Sequence, residues 1–195
     1  MRPNVASFLL TLGTITSVLA TPTLTSRSVK ITSRDLSTFT EGLAAVSAQL
    51  DALDASILAY PGGDISNITA GAAGLITTLL AETKAIQSYF LNDTEATAVI
   101  PLLEELTVQF TTAVQDYIRV HDLIAVADEG WYIYSQLQEE HTAALTYTGS
   151  VVARIPAGDL KDAADALATN ITVTLETGVV AYKDIAVRPT TYARA

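Results

Sequence analysis

Leu36, Phe39, Leu43, Val46, Leu50, Leu53, Ile57 and Tyr60 follow one another at intervals of three and four residues, and all are apolar or aromatic. Asp35, Ser37, Thr40, Glu41, Ser47, Gln49, Asp51 and Asp54 stand between them. That period lays an apolar stripe along one side of an α-helix and leaves the other side to water. Asp35 or Ser33 offers a cap at its start, and Pro61-Gly62-Gly63 ends it. A second stripe runs through Ile65, Ile68, Ala72, Leu75, Leu79, Ile86 and Tyr89, with Asp64 as its expected cap and Glu82 interrupting it. Gly71 and Gly74 weaken the first half of this helix by about 1 kcal/mol each relative to alanine.

Leu91-Asn92-Asp93-Thr94 breaks the chain, and Val99, Leu103, Leu106, Phe110, Ala113, Tyr117, Val120 and Ile124 form a third stripe. Pro101 is expected in or near its first turn. A fourth helix is expected from about Val126 to Arg154, with the stripe Val126, Ile133, Leu137, Ala144, Tyr147 and Val151 interrupted by Gly130 and Glu140. A fifth, with Asp159 as its expected cap, carries Leu160, Ala164, Leu167, Ile171, Leu175, Val179, Tyr182 and Ile185. No segment alternates with period two for long enough to make a sheet. The expected fold is all-α, an antiparallel bundle of about five amphipathic helices over residues 35–188, followed by a tail at 189–195.

Composition narrows the classes. Of 195 residues, 49% are hydrophobic, too many for a disordered chain. Eleven basic against 21 acidic residues argue against nucleic acid as a partner, since phosphates need a cationic surface. Without cysteine there is no disulfide, thiolate metal site or thiol nucleophile, so packing alone must hold the bundle. Part of the apolar fraction is an address: Arg2, an apolar run from Val5 to Leu19 and the small-residue site Val18-Leu19-Ala20 read as a signal peptide over residues 1–20. Residues 21–34 are rich in Ser and Thr, carry Arg27, Lys30 and Arg34 but no acid, and read as a leader open to O-glycosylation, with Arg34 as a conceivable processing point. The end of the chain lacks the hydrophobic tail of a GPI signal. The mature protein is therefore expected outside the cell without a transmembrane segment. Three sequons, at Asn67, Asn92 and Asn170, agree with that route. Asn92 is the one expected in a loop and hence the most accessible.

Catalytic patterns are missing. There is no Gly-x-Ser-x-Gly elbow, no phosphate-binding glycine loop, no Glu-x-x-His pair and no EF-hand spacing. His121 and His141 are the only histidines and are expected at the surface, with the adjacent Asp122 and Glu140 projecting from other helix sides. No catalytic residue, metal or cofactor is expected. What remains is the apolar surface, which serves either as an ordinary core, as the lining of a cavity between helices, or as a face offered to an apolar surface. The candidate ligand contacts are Phe110, Tyr117 and Leu137 on the stripes, with Trp131 and Tyr134 from the aromatic cluster that opens the fourth helix. Glu82 and Glu140 either mark stripe edges or stand near a ligand head group.

The punctuation of these helices resembles that of the fungal hydrophobic surface-binding protein A family, which includes the antigenic cell wall galactomannoproteins. The carrying residues are Arg34-Asp35-Leu36, Tyr60-Pro61-Gly62-Gly63-Asp64, Leu106-x-x-x-Phe110, Val152-Ala153-Arg154-Ile155-Pro156 and the Ala-rich last helix closing near Tyr182. The resemblance covers roughly residues 35–185. It implies a secreted, non-catalytic helical protein associated with the cell wall. As partners it implies hydrophobic polymers, to which a secreted cutinase-like esterase is recruited, or fatty acids held in a cavity between helices. It supplies no catalytic residue to carry over.

Overall fold

The computed structural model describes residues 34–187; the expected signal peptide and leader, with Ser33, and the expected tail at 189–195 lie outside the described residues. Five helices follow one another: α1 (Arg34–Leu58), α2 (Ser66–Ala85), α3 (Asp93–Val126), α4 (Gly130–Val152) and α5 (Asp159–Ala181). Each is amphipathic, and the stripes of the sequence are the buried faces. Phe39, Val46, Leu50, Leu53 and Ile57 of α1 are almost wholly removed from water, as are Leu75 and Leu79 of α2, Val99, Leu106 and Phe110 of α3, Ile133 and Leu137 of α4, and Ile171 and Leu175 of α5. Each such side chain contributes roughly 1.5–3 kcal/mol of transfer free energy, which replaces the missing disulfides as the source of stability.

The ends of the elements follow local chemistry. Gly62 (φ 98°) and Gly63 (φ 91°) take the left-handed conformations that turn the chain out of α1, and Tyr60 donates its hydroxyl to the Gly63 carbonyl at 3.1 Å. Asp64 stands one residue before the capping position, which is Ile65, yet its carboxylate accepts from the Ser66 N–H at 2.8 Å and so does a cap's work. At α3, Asn92 and Glu95 form a reciprocal capping box.

Several boundaries differ from expectation. α2 ends at Ala85, although Ile86 stays buried beyond it. Pro101 lies well inside α3, where its side chain is exposed. Val126 belongs to the end of α3 rather than to α4, and at 89% exposure it joins no buried stripe. The break comes after it, where Asp128 adopts φ 60° and α4 restarts at Gly130. Asp159 is the first residue inside α5, preceded by Gly158 at φ 136°.

Consecutive helices alternate in direction, but their packing order is not their chain order. α1 packs on α2, α2 on α4, α4 on α5, α5 on α3 and α3 on α1, closing a cycle. α2 and α3 make no helix–helix contact, and α3 and α4 meet only marginally. Three seams join helices running the same way: Asp51 and Asp54 of α1 meet Gln109 and Asp116 of α3 in that order, Thr69 and Leu80 of α2 lie beside Gln136 and Thr142 of α4, and Val114 and Tyr117 of α3 meet Gly178 and Tyr182 at the end of α5. The link between α2 and α3 is pinned at the far end by Arg154. Its carbonyl accepts from Leu91 N–H at 3.0 Å, its guanidinium donates to the Gln87 carbonyl at 2.9 Å, and it stacks over Phe90 at 5.5 Å. Gly71, read in the sequence as a weakness, lets α2 approach α1: a Cβ there would lie 3.2 Å from Leu53 Cα.

Candidate functional site

The candidate contacts divide into two groups. Phe110 and Tyr117, seven residues apart on α3, and Leu137 on α4 are all buried. A Cβ added to Gly178 of α5 would touch Val114 Cγ1 at 3.2 Å and Leu137 Cδ2 at 3.5 Å, so α3, α4 and α5 converge there. Trp131 and Tyr134 are half-buried at the start of α4, Tyr134 packing against the core three residues before Leu137, with ring centroids 6.4 Å apart and planes tilted by 39°. Tyr134 accepts a hydrogen bond at its hydroxyl from Gln138 Nε2 at 3.1 Å.

Two residues outside the candidate contacts complete the inner group: Glu140, read in the sequence as an interruption, and Tyr182 of the fifth stripe. Glu140 is 1% exposed, and its Oε1 accepts from the Tyr117 hydroxyl at 3.3 Å. Tyr182, fully buried, donates to the Tyr117 carbonyl at 2.6 Å and meets the Tyr117 ring edge-on at 6.2 Å. Glu140 therefore marks no stripe edge. It occupies the stripe itself, in register between Leu137 and Ala144, and that register was the signal available in the sequence. Because α3 and α4 barely touch as helices, the Tyr117–Glu140 bond is carried by side chains across the middle of the cycle.

Burial pushes the Glu140 carboxyl up to about 8, against a smaller opposing pull from the Tyr117 hydrogen bond. Among the described residues no cation pairs with it. The Tyr117 hydroxyl is pushed well above its ordinary value by burial and then by the neighbouring carboxyl. Glu82, the other acid expected at a stripe edge, is half-buried in the α1–α2 seam, where a Cβ on Gly42 would lie 2.7 Å from its Oε2.

His121 is not the surface residue expected. Its side chain is 19% exposed, its ring stacks edge-on against Tyr182 at 5.1 Å, and it bridges Asp122 (Nδ1, 3.0 Å) and Asp184 (Nε2, 3.1 Å). The adjacent Asp122 does reach it, contrary to the helix-side expectation. Burial alone would lower the imidazole's pKa, but the two carboxylates carry it above its ordinary value. Both ring nitrogens are thus engaged by carboxylates and not by a nucleophile. Among the described residues no group of three His, Asp or Glu is arranged to hold a metal, and no helix is long and apolar enough to cross a membrane.

The outer surface carries open grooves, of which one of about 440 Å³ between α2 and α4 is lined by Ile76, Leu80, Gln138, Thr142, Ala143 and Thr146. Asn67 and Asn170 are exposed on their helices, whereas Asn92, expected to be the most accessible sequon, is half-buried and occupied as a cap.

Residues 36–153 match the family described as hydrophobic surface binding protein A. The chain is 31% identical to cell wall mannoprotein 1 of Aspergillus fumigatus over 182 residues and 32% identical to that of Aspergillus flavus over 180 residues. These alignments take in 93% and 92% of the chain but 61% and 63% of the relatives, so it spans about three fifths of their length. Among solved structures it resembles ligand binding domain 2 of the Penicillium marneffei MP1 protein complexed with multiple arachidonic acids. That match has a TM-score of 0.75 and 25% identity, covering 78% of this chain and 98% of that one. Afmp4p in complex with palmitic acid shares the fold, with a TM-score of 0.70 and 16% identity over 76% of this chain and 99% of that one.

Proposed function

Because the chain belongs to the hydrophobic surface binding protein A family, we propose that it is a non-catalytic binding protein that takes a fatty acyl chain into the apolar middle of its helix cycle. The observation that carries this reading is the cycle itself. Five stripes face inward, helices on opposite sides of the cycle make little or no contact, and the same fold holds arachidonic acid in a relative of 25% identity. Phe110, Tyr117 and Leu137 are the wall of this site, and Trp131 and Tyr134 lie at the start of α4 as its reporters. Native mass spectrometry of the secreted protein with palmitate tests it. A saturable adduct, accompanied by a change in emission from Trp131, the only tryptophan, is expected. No adduct at any lipid concentration overturns the reading.

A second reading is favoured by the outer surface. Leu58, Leu123, Val126 and Tyr132 are all more than 40% exposed, and they sit where α1 and α3 end and α4 begins. Such an apolar end suits adsorption to a hydrophobic polymer. Secretion to the wall or medium, glycosylation at Asn67 and Asn170, and recruitment of a secreted esterase to an adsorbed layer complete the picture we propose. Co-sedimentation of a cutinase-like esterase with protein-coated polymer beads, compared with bare beads, tests the last of these.

A further inference from the structure

Glu140 is a carboxyl buried in the middle of the cycle that packing does not explain. A buried carboxyl is costly in apolar surroundings unless it is well hydrogen-bonded. The bond it receives from Tyr117, at 3.3 Å, is longer than the 2.5–2.7 Å or so of a strong O–H···O⁻ pair. Leucine at this point would continue the stripe. Among the described residues, none around it offers a counter-charge. On α3 the facing titratable group is Tyr117, and beyond α5 it is Tyr182, which is spent on the Tyr117 carbonyl. On α2, Glu82 faces Gly42 and Tyr147, and the buried Thr83 hydroxyl returns to its own helix at the Leu79 carbonyl.

A lipid carboxylate entering this interior would lose its hydration and would need hydroxyl donors in place of water. Two face each other here across the cycle: the Tyr117 phenol and a protonated Glu140. We propose that Glu140 and Tyr117 are the head-group site, receiving the carboxyl of a bound fatty acid so that the Glu140 and lipid carboxyls share one proton. This assignment rests on the lipid-binding reading above and adds to it the class of head group and a proton linkage. Two carboxyls in contact hold a single negative charge, so the bound pair keeps one proton in a pH range where each alone would lose it. Free Glu140 keeps its proton up to about pH 8. Below that value a fatty acid anion meets a protonated partner and binds without exchanging protons. Above it, binding must draw a proton from solvent, and affinity falls about tenfold per pH unit.

The full chain is titrated calorimetrically with dodecanoate and with dodecanol at about pH 6.5 and about pH 9, each in two buffers of different ionisation enthalpy. For dodecanoate we expect affinity at least fivefold weaker at the higher pH, with close to one proton taken up per lipid there and none at the lower. Dodecanol, which carries no charge, binds alike at both. Glu140→Gln, nearly the same in shape, loses both the pH dependence and the proton uptake. Tyr117→Phe weakens dodecanoate more than dodecanol. Dodecanoate binding to the unaltered chain without proton uptake at pH 9, or uptake that persists in Glu140→Gln, overturns the assignment while leaving lipid binding intact. Failure of both lipids to bind the unaltered chain removes the lipid-binding reading, and the head-group site goes with it.

Discussion

At Glu140 the folded chain holds a proton that the unfolded chain releases several pH units earlier, because burial lifts the carboxyl from 4.5 to about 8. Between those values the native state binds more protons than the unfolded state, so stability falls as pH rises through the window. Asp54 adds a decline of the same sense at lower pH. Burial, and then Asp116 beside it, lifts its carboxyl from 3.8 to about 6. His121, whose pKa is raised by its two aspartates, loses its contribution as pH rises through that raised value. Glu140 is separated from these by comparison with Glu140→Gln. Urea denaturation from about pH 5 to pH 8.5 is expected to show the unaltered chain losing about 3 kcal/mol more than the variant, nearly all of it above pH 5. Parallel curves would mean that the carboxyl is reached by water or a cation in the folded state.

Among the elements, the two glycines of α4 are predicted to behave in opposite ways. Gly130 opens the helix against the segment that follows α5, and a Cβ there would lie 2.5 Å from the Ile185 carbonyl oxygen, a backbone atom with little room to yield. Gly130→Ala is expected to cost about 2 kcal/mol despite alanine's better helix propensity. Gly149 lies near the other end of the same helix with no atom within 4 Å of an added Cβ, so Gly149→Ala is expected to stabilise by about 0.5–1 kcal/mol. Urea midpoints of the two variants against the parent decide the matter, and a shift in the same direction would show that α4 does not meet Ile185 in solution. The number of helices and the buried residues were legible because the period of three and four places nearly every stripe residue on a buried face. Ring order was not, since a stripe says which face is apolar and not which helix covers it. The same gap explains Glu140: its register put it in the middle, but its charge read as an interruption. Val126 kept the helical period while belonging to the preceding helix, and only the turn at Asp128 separates the two. The sequence groups Trp131 and Tyr134 with the stripe residues as ligand contacts, yet they lie six and three residues before Leu137 on α4 and are only half-buried.

Considered as a whole, the molecule offers a hydrophobic surface two apolar regions, an enclosed middle and an exposed end, and the two predict different adsorption behaviour. Adsorption through the middle requires the cycle to open, which breaks seams held by apolar packing and competes with any lipid already inside. Adsorption through the end requires no rearrangement. Leu58, at 50% exposure, and Val126, at 89%, are already in water there, and covering side chains of this kind is worth about 1 kcal/mol or more apiece. A formal net charge of −10 keeps the remaining surface hydrated and limits self-association. The double substitution Leu58→Glu with Val126→Glu leaves the buried stripes untouched and places two charges where the end would contact the surface. If the end is the adsorbing region, partition onto polystyrene beads falls at least tenfold, while thermal stability and palmitate binding stay at parental values. If the middle adsorbs instead, the double variant partitions like the parent, and saturating palmitate suppresses adsorption in both, because an acyl chain inside occupies the same side chains that the surface would need.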